Sequence, residues 1–306
     1  MVIVTALLAA FANAVGSVCQ RLGVEDAPTS RGPSMGLVRH MVRRAVWIVG
    51  FVIMALGFAS QAVALHLGGL NVVQPLMVSE LVILVLVLWL WYATSLRARD
   101  LASAGATAVG LGVFLFVAAP SNGAQVPDHA LWLAVGATAV LVAASFVALG
   151  ARGPSWWRAL ALGAAASVGF ALVSAITKSM TDLLVTGWSA LFGSWQLYAL
   201  AIVGLASFLI MQSAFQVGPF TASQSSLILV NPFVSIAIGH VLFGEGLRGG
   251  PVAVSLEALS LVVMVLGVLG LSMSPLVAGV HEGAPTAHLL KGRGRYARRR
   301  DRLSSP

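Results

Sequence analysis

Apolar residues run along this chain in blocks of about twenty, with no wet face recurring at the helical period. The blocks fall near residues 2–20, 45–67, 71–94, 101–119, 130–150, 158–181, 189–211, 219–243 and 251–273. About twenty apolar residues let a helix cross a hydrocarbon layer of roughly 30 Å. The pattern predicts an all-α polytopic membrane helix bundle of about nine transmembrane helices. Most connections are short. The exceptions are 21–44, with Pro28, Gly32 and Pro33, and the segment from about 275, both read as irregular aqueous stretches. The stretch 182–211 is the least regular, because Asp182 and the glycines after it signal a broken or re-entrant element. The first block is read as a retained helix: it lacks a positive n-region, and its basic residues follow the apolar run.

Composition agrees with this pattern. Hydrophobic residues make up 58% of the chain and charged residues 9%, against roughly 25% charged in soluble domains. The formal net charge of +8 lies at the fringes of an apolar body, not on a basic face with interleaved aromatics, so no nucleic-acid partner is expected. Cys19 is the single cysteine and forms no intrachain disulfide. With nine crossings, sixteen of the eighteen Lys and Arg fall on one side. They are five between Arg21 and Arg44, the pairs Arg97/Arg99 and Arg152/Arg158, and seven between Lys291 and Arg302. Only Lys178 and Arg248 fall opposite. Basic loops stay cytoplasmic, so the reading is a multi-pass protein of the cytoplasmic membrane, N-terminus outside and C-terminus inside. The tail around Arg298-Arg299-Arg300 holds the terminus inside and offers charge to anionic lipids.

The segments 61–83 and 212–233 share a layout. Each opens with a glutamine, Gln61 or Gln212, turns at Gly68 or Gly218, and continues with Gln74 or Gln224. Each following helix carries a proline, Pro75 or Pro232, as a candidate kink. An offset of five helices is odd, so the two halves insert in opposite senses, the arrangement of many secondary transporters. The domains read as a first transmembrane repeat over 1–119, a connecting helix within 120–157, a second repeat over 158–273 and a disordered basic tail over 274–306.

On these residues the chain resembles the drug/metabolite transporter superfamily, built from EamA-like repeats. The resemblance lies in Ser223, Asn231-Pro232 and Leu242-Phe243-Gly244-Glu245-Gly246-Leu247, followed by a last apolar helix with Gly267. The other half is similar to the NIPA-type magnesium-transporter branch in Gly16-Ser17, Arg21, Gly23, Val73-Gln74-Pro75-Leu76 and Ser79. Thr177-Lys178 and Gln212 also resemble that branch. The sequence departs from the pattern at Tyr92-Ala93-Thr94, where the first half lacks the Gly-Glu ending, and at Glu80, where an apolar or small residue is expected. The resemblance implies a permease with a midplane substrate site, and its branch implies a divalent cation as cargo.

Glu80 is the sharpest candidate. It lies nine residues beyond Asn71, about 14 Å into the layer at 1.5 Å per residue. A carboxylate there costs about 2.5–3.5 kcal/mol on insertion scales, so such residues usually face a cavity or a partner. It suits a proton carrier or a counter-charge for a cation; the bland reading is a neutral Glu bonded to a neighbouring helix. Gln224, Asn231 and Ser235 lie within about 40° of one another at 100° per residue, a stripe fit either for lining a path or for interhelical bonding. Gln74, a further candidate for the path, is about 120° from Glu80, so the two are not assumed to share a face. Ser167, Ser174, Lys178 and Thr181 share a stripe; Ser174 and Lys178 are candidates for lining the path, with the bland reading that Lys178, near the outer end, snorkels. Glu257, about 9 Å into its helix, is a possible second carboxylate that would help hold Mg²⁺ if it met Glu80. Glu245 is expected in a structural turn, and His66 and His240 at the interface. Ala106/Gly110 and Ala165/Gly169 are spaced for close helix approach.

The leading reading is therefore a secondary transporter of a small solute working by alternating access, with Glu80 a candidate for proton coupling. The alternative is a divalent-cation (Mg²⁺-like) transporter, and outside that class a non-transporting membrane accessory protein. No HExxH, nucleophile elbow or CxxC is present, so an enzyme is not expected. No cofactor is implied, no metal is assigned, and a homodimer is allowed.

Overall fold

The computed structural model describes residues 1–24, 44–92, 97–121, 123, 125–218 and 220–273. Among these residues the fold is helical, with a single isolated β-bridge between Ser121 and Gly246. The helices are α1 (Val2–Val24), α2 (Ala45–Leu67), α3 (Leu70–Met77), α4 (Ser79–Tyr92), α5 (Ala98–Ala118) and α6 (His129–Gly150). They continue as α7 (Ser155–Thr186), α8 (Trp188–Phe192), α9 (Trp195–Val217), α10 (Phe220–Phe243) and α11 (Pro251–Ser272). Eight helical segments are long and apolar enough to cross a membrane, α3 and α4 together making one of them. In α1 the apolar part is the shorter stretch Val2–Gly16. The molecule is an integral, multi-pass helical bundle.

Its surface shows how such a chain is solvated. Phe116, Leu133, Leu141, Ile202 and Leu266 are all exposed, which lipid tolerates and water would not. The interior is built instead from small residues, as when membrane helices associate by close packing. α7 is the central helix: Ala159, Ala164, Ala165, Ala166, Ala171 and Ala175 on it are buried. α6 buries only Trp132, Ala139 and Gly150 among its described residues and lies at the periphery.

α1 packs along α2, α5 along α11, and α7 along α9, α10 and α6. Glycines set these approaches. A Cβ on Gly110 of α5 would stand 2.6 Å from the backbone nitrogen of Met264 on α11. On Gly163 of α7 it would stand 2.7 Å from the Ser223 carbonyl oxygen of α10. Gly169 packs against Ser207 of α9. Thus Gly110 and Gly169 do permit the close approach that their spacing suggested.

The irregular stretch after Asp182 differs in detail from expectation. α7 runs on to Thr186, and Gly187 at φ 124° then turns the chain into the short α8. The next crossing begins at Trp195 and ends at Val217 instead of occupying 189–211. Only glycine adopts that φ without strain, so the boundary follows Gly187 more than hydropathy. The segments 25–43 and 274–306, and with them the tail, lie outside the described residues.

Candidate functional site

The site begins with a helix break. Pro75 has no N–H to donate, and the chain leaves α-helical bonding at Val78 between α3 and α4. Val78 N–H donates to the Pro75 carbonyl (3.1 Å), Leu81 N–H to the Val78 carbonyl (3.3 Å) and Ser79 Oγ to the Leu76 carbonyl (2.7 Å). Backbone bonds to the third residue wind more tightly than an α-helix. This tighter winding narrows the 120° separation between Gln74 and Glu80 that an unbroken helix would give. Both line one cavity.

That cavity has a volume of about 430 Å³ and lies among α1, α2, α3, α4, α7, α9 and α10. Its polar lining is Asn13, Gln61, Gln74, Glu80, Ser174, Thr177 and Asn231. Apolar walls come from Phe58, Met77, Leu81, Leu84, Phe170 and Met211. Glu80 lies ten residues beyond Leu70, about 15 Å along the span, so the cavity sits near mid-depth.

Two hydrogen bonds organise the polar groups. Asn13 Nδ2 donates to Glu80 Oε2 at 3.4 Å, the one side-chain bond made to Glu80 among the described residues. Asn231 Nδ2 donates to Gln74 Oε1 at 3.1 Å, joining α10 to α3. Gln74 is 1% exposed, and its Nε2 donor has no protein partner among the described residues. Pro232, without an N–H, leaves the carbonyl of Ile228 free of its helical donor, and both residues line the cavity. Ser174 and Thr177 donate to Phe170 and Val173 of their own helix, keeping their oxygens as acceptors.

Several candidates lie elsewhere. Ser235 is buried outside the lining and donates to Asn231 Oδ1 (3.4 Å), so it orients the amide without meeting the cavity. Lys178 does not snorkel and does not line the cavity. It is buried, with Nζ 2.5 Å from Glu245 Oε1 and 4.5 Å from the centre of the Phe243 ring. The reason is a partner 67 residues away. Glu245 is in the expected turn, with its N–H on the Gly239 carbonyl at 3.2 Å, and does more besides. Its carboxylate accepts the N–H groups of Leu70 and Asn71, each at 2.9 Å, and so caps the N-terminus of α3. Asn71 Nδ2 in turn donates to the carbonyls of Gly246 (3.0 Å) and Ser121 (3.3 Å), tying the loop before α6 to the same knot. His240 is exposed, with Nδ1 2.8 Å from the Glu245 carbonyl.

Glu257 does not join Glu80. It is buried on α11 one turn before Ser260, on the side that packs against α5, and it is absent from the cavity lining. No cluster of three or more His, Cys, Asp or Glu is formed among the described residues. The carboxylate pair that a divalent-cation site would use is not assembled. The side chains of Gln224 and Gln212 lie outside the described residues. Asn13, Gln61 and Thr177 are the polar lining residues, among those described, that the sequence did not mark as candidates. Asn13 was within its reach: an amide in the middle of an apolar crossing meets the same depth criterion that singled out Glu80.

Comparison with known proteins adds little beyond extent. No family model matches the chain, and no solved structure matches it. The chain is similar to an uncharacterized protein of Corynebacterium glutamicum, 24% identical over 273 residues, covering 89% of this chain and 94% of that one.

Proposed function

We propose that this protein is a secondary transporter that moves a small solute across the cell membrane by alternating access, with Glu80 as its coupling carboxyl group. The observation that carries this reading is the mid-depth cavity in which Glu80, Gln74 and Asn231 meet. A bundle whose only task was to hold others would have no need of a carboxyl group in a cavity at that depth, where its insertion is costly. The enclosing helices come from both halves of the chain. α1 packs on α2 and α4 as α7 packs on α9 and α10, and α5 lies against α11. The amides of Gln74 and Asn231 bond across the halves. This supports two inverted repeats, α1 to α5 against α7 to α11, with α6 as connector. It also agrees with the resemblance to the drug/metabolite transporter superfamily. The partition of Lys and Arg supports an outer N-terminus and a cytoplasmic tail.

The test is flux in liposomes carrying the purified full chain, an entrapped pH dye and an imposed pH gradient, with protein-free liposomes as baseline. A panel of neutral, cationic and anionic solutes is added in turn. At least one solute is expected to discharge the gradient above baseline, and Glu80→Gln to abolish that discharge. Full gradient-driven flux in Glu80→Gln overturns the coupling role. No protein-dependent flux of any solute overturns the transporter reading.

A further inference from the structure

We propose that the cavity takes a small monovalent organic cation, an amine with an apolar body and a hydrogen-bond acceptor a few bonds from its nitrogen, and that Glu80 is its counter-charge. The proposal rests on the transporter reading of the same cavity and specifies its cargo. Charge decides the class. Among the described residues, Glu80 is the sole ionisable side chain in the lining, which includes no Lys, Arg or His. An anion would enter with no counter-charge and meet a carboxylate; the membrane interior tolerates neither. A divalent ion would find one negative charge for its two, since Glu257 stands on another interface and no acidic cluster forms among the described residues. One carboxylate balances one positive charge.

The walls narrow the class further. Phe58, Phe170, Met77, Met211, Leu81 and Leu84 give apolar and aromatic surface on either side of the polar groups. A hydrated inorganic ion makes no use of such walls, whereas the carbon body of an amine is desolvated against them, and methionine adapts to bodies of different shape. A volume of about 430 Å³ suits a molecule of one ring with a short chain.

The polar atoms still lacking partners assign the remaining contacts. Asn13 reaches only one oxygen of Glu80, at 3.4 Å, so Oε1 is left for an ammonium N–H. Gln74 Nε2 is a buried donor without a protein partner among the described residues. A buried donor needs an acceptor, and a hydroxyl or carbonyl on the ligand supplies it. Asn231 holds Gln74 Oε1 at 3.1 Å, so the NH₂ group is the part of this lining side chain still without a partner among the described residues.

Binding to the purified full chain tests the proposal apart from transport, by calorimetry and by ligand-induced shift of the melting temperature. Phenylalaninol carries amine, hydroxyl and ring. 3-Phenylpropan-1-ol lacks only the amine, phenethylamine lacks only the CH₂OH, and 3-phenylpropanoate carries the opposite charge. Saturable binding is expected for both amines, tighter for phenylalaninol. The alcohol and the carboxylate are expected to bind about tenfold weaker or not at all, and Glu80→Gln to weaken phenylalaninol by a similar factor. Alcohol or carboxylate binding as tight as the amine overturns the proposal. So does unchanged phenylalaninol affinity in Glu80→Gln, or no binding of either amine. The charge series is read on the unaltered chain, so it decides the matter even if the variant misfolds. Amine binding without flux would sink the transporter reading and leave this one standing. Flux of another solute without amine binding would do the reverse.

Discussion

Asn231 and Gln74 are amides that satisfy each other across two helices, with Ser235 fixing the first of them. Asn231→Ala leaves Gln74 buried with neither polar atom bonded to protein. Bonds of this kind between membrane helices contribute about 0.6–2 kcal/mol, so a modest fall in melting temperature is expected. Flux should fall far more, because Gln74 loses its orientation toward the cavity; the two readouts come from one preparation. Lys178 and Glu245 behave differently. Glu245→Gln leaves an uncompensated ammonium in the interior and should cost about 3–5 kcal/mol, while adding Lys178→Met recovers part of it. Thermal unfolding of the single and double variants checks this. If the double variant unfolds no later than the single one, Lys178 is not what the carboxylate balances. These contrasts explain what the sequence disclosed at this scale. Depth along an apolar run identifies Glu80 and would have identified Asn13. It says nothing of partners. Lys178 looked like a snorkelling cation because the carboxylate that buries it stands 67 residues further on.

Among the elements, the α3–α4 break has the most influence on the site. Pro75→Ala restores an N–H donor to the Asn71 carbonyl and favours a continuous helix. Gln74 and Glu80 would then be re-aimed relative to each other, toward the about 120° separation of an unbroken helix. Flux is expected to fall tenfold or more while the melting temperature holds or rises; liposome assays and thermal unfolding separate the two effects. A tighter constraint operates between α5 and α11. Gly110→Leu forces a side chain against the Ser260–Met264 backbone and should destabilise by about 1–3 kcal/mol, read as a lower melting temperature. Crossing helices were easy to read from hydropathy, since lipid contact demands unbroken apolar runs. Their internal breaks were not. The 195–217 crossing was displaced by a φ that only glycine adopts readily, and hydropathy carries no dihedral information.

At the scale of the whole molecule, the distribution of charge and the packing both bear on the proposed topology. Lys and Arg concentrate at alternate connections and in the tail, and the helix pairs of one half are echoed in the other. The proposed topology puts the C-terminus in the cytoplasm. A C-terminal green fluorescent protein fusion should fluoresce and a C-terminal alkaline phosphatase fusion should be inactive; the opposite pair of results would invert the assignment.

The cap on α3 has a consequence in time. The carboxylate that receives the first N–H groups of that helix is 175 residues downstream of Leu70. At about 5–20 residues per second of synthesis, α3 would wait roughly 10–35 s for it. Until Glu245 emerges, two backbone donors at that end of the helix must be met by water or by the insertion machinery. This end of the bundle is therefore sealed last, by the arrival of the second half of the chain.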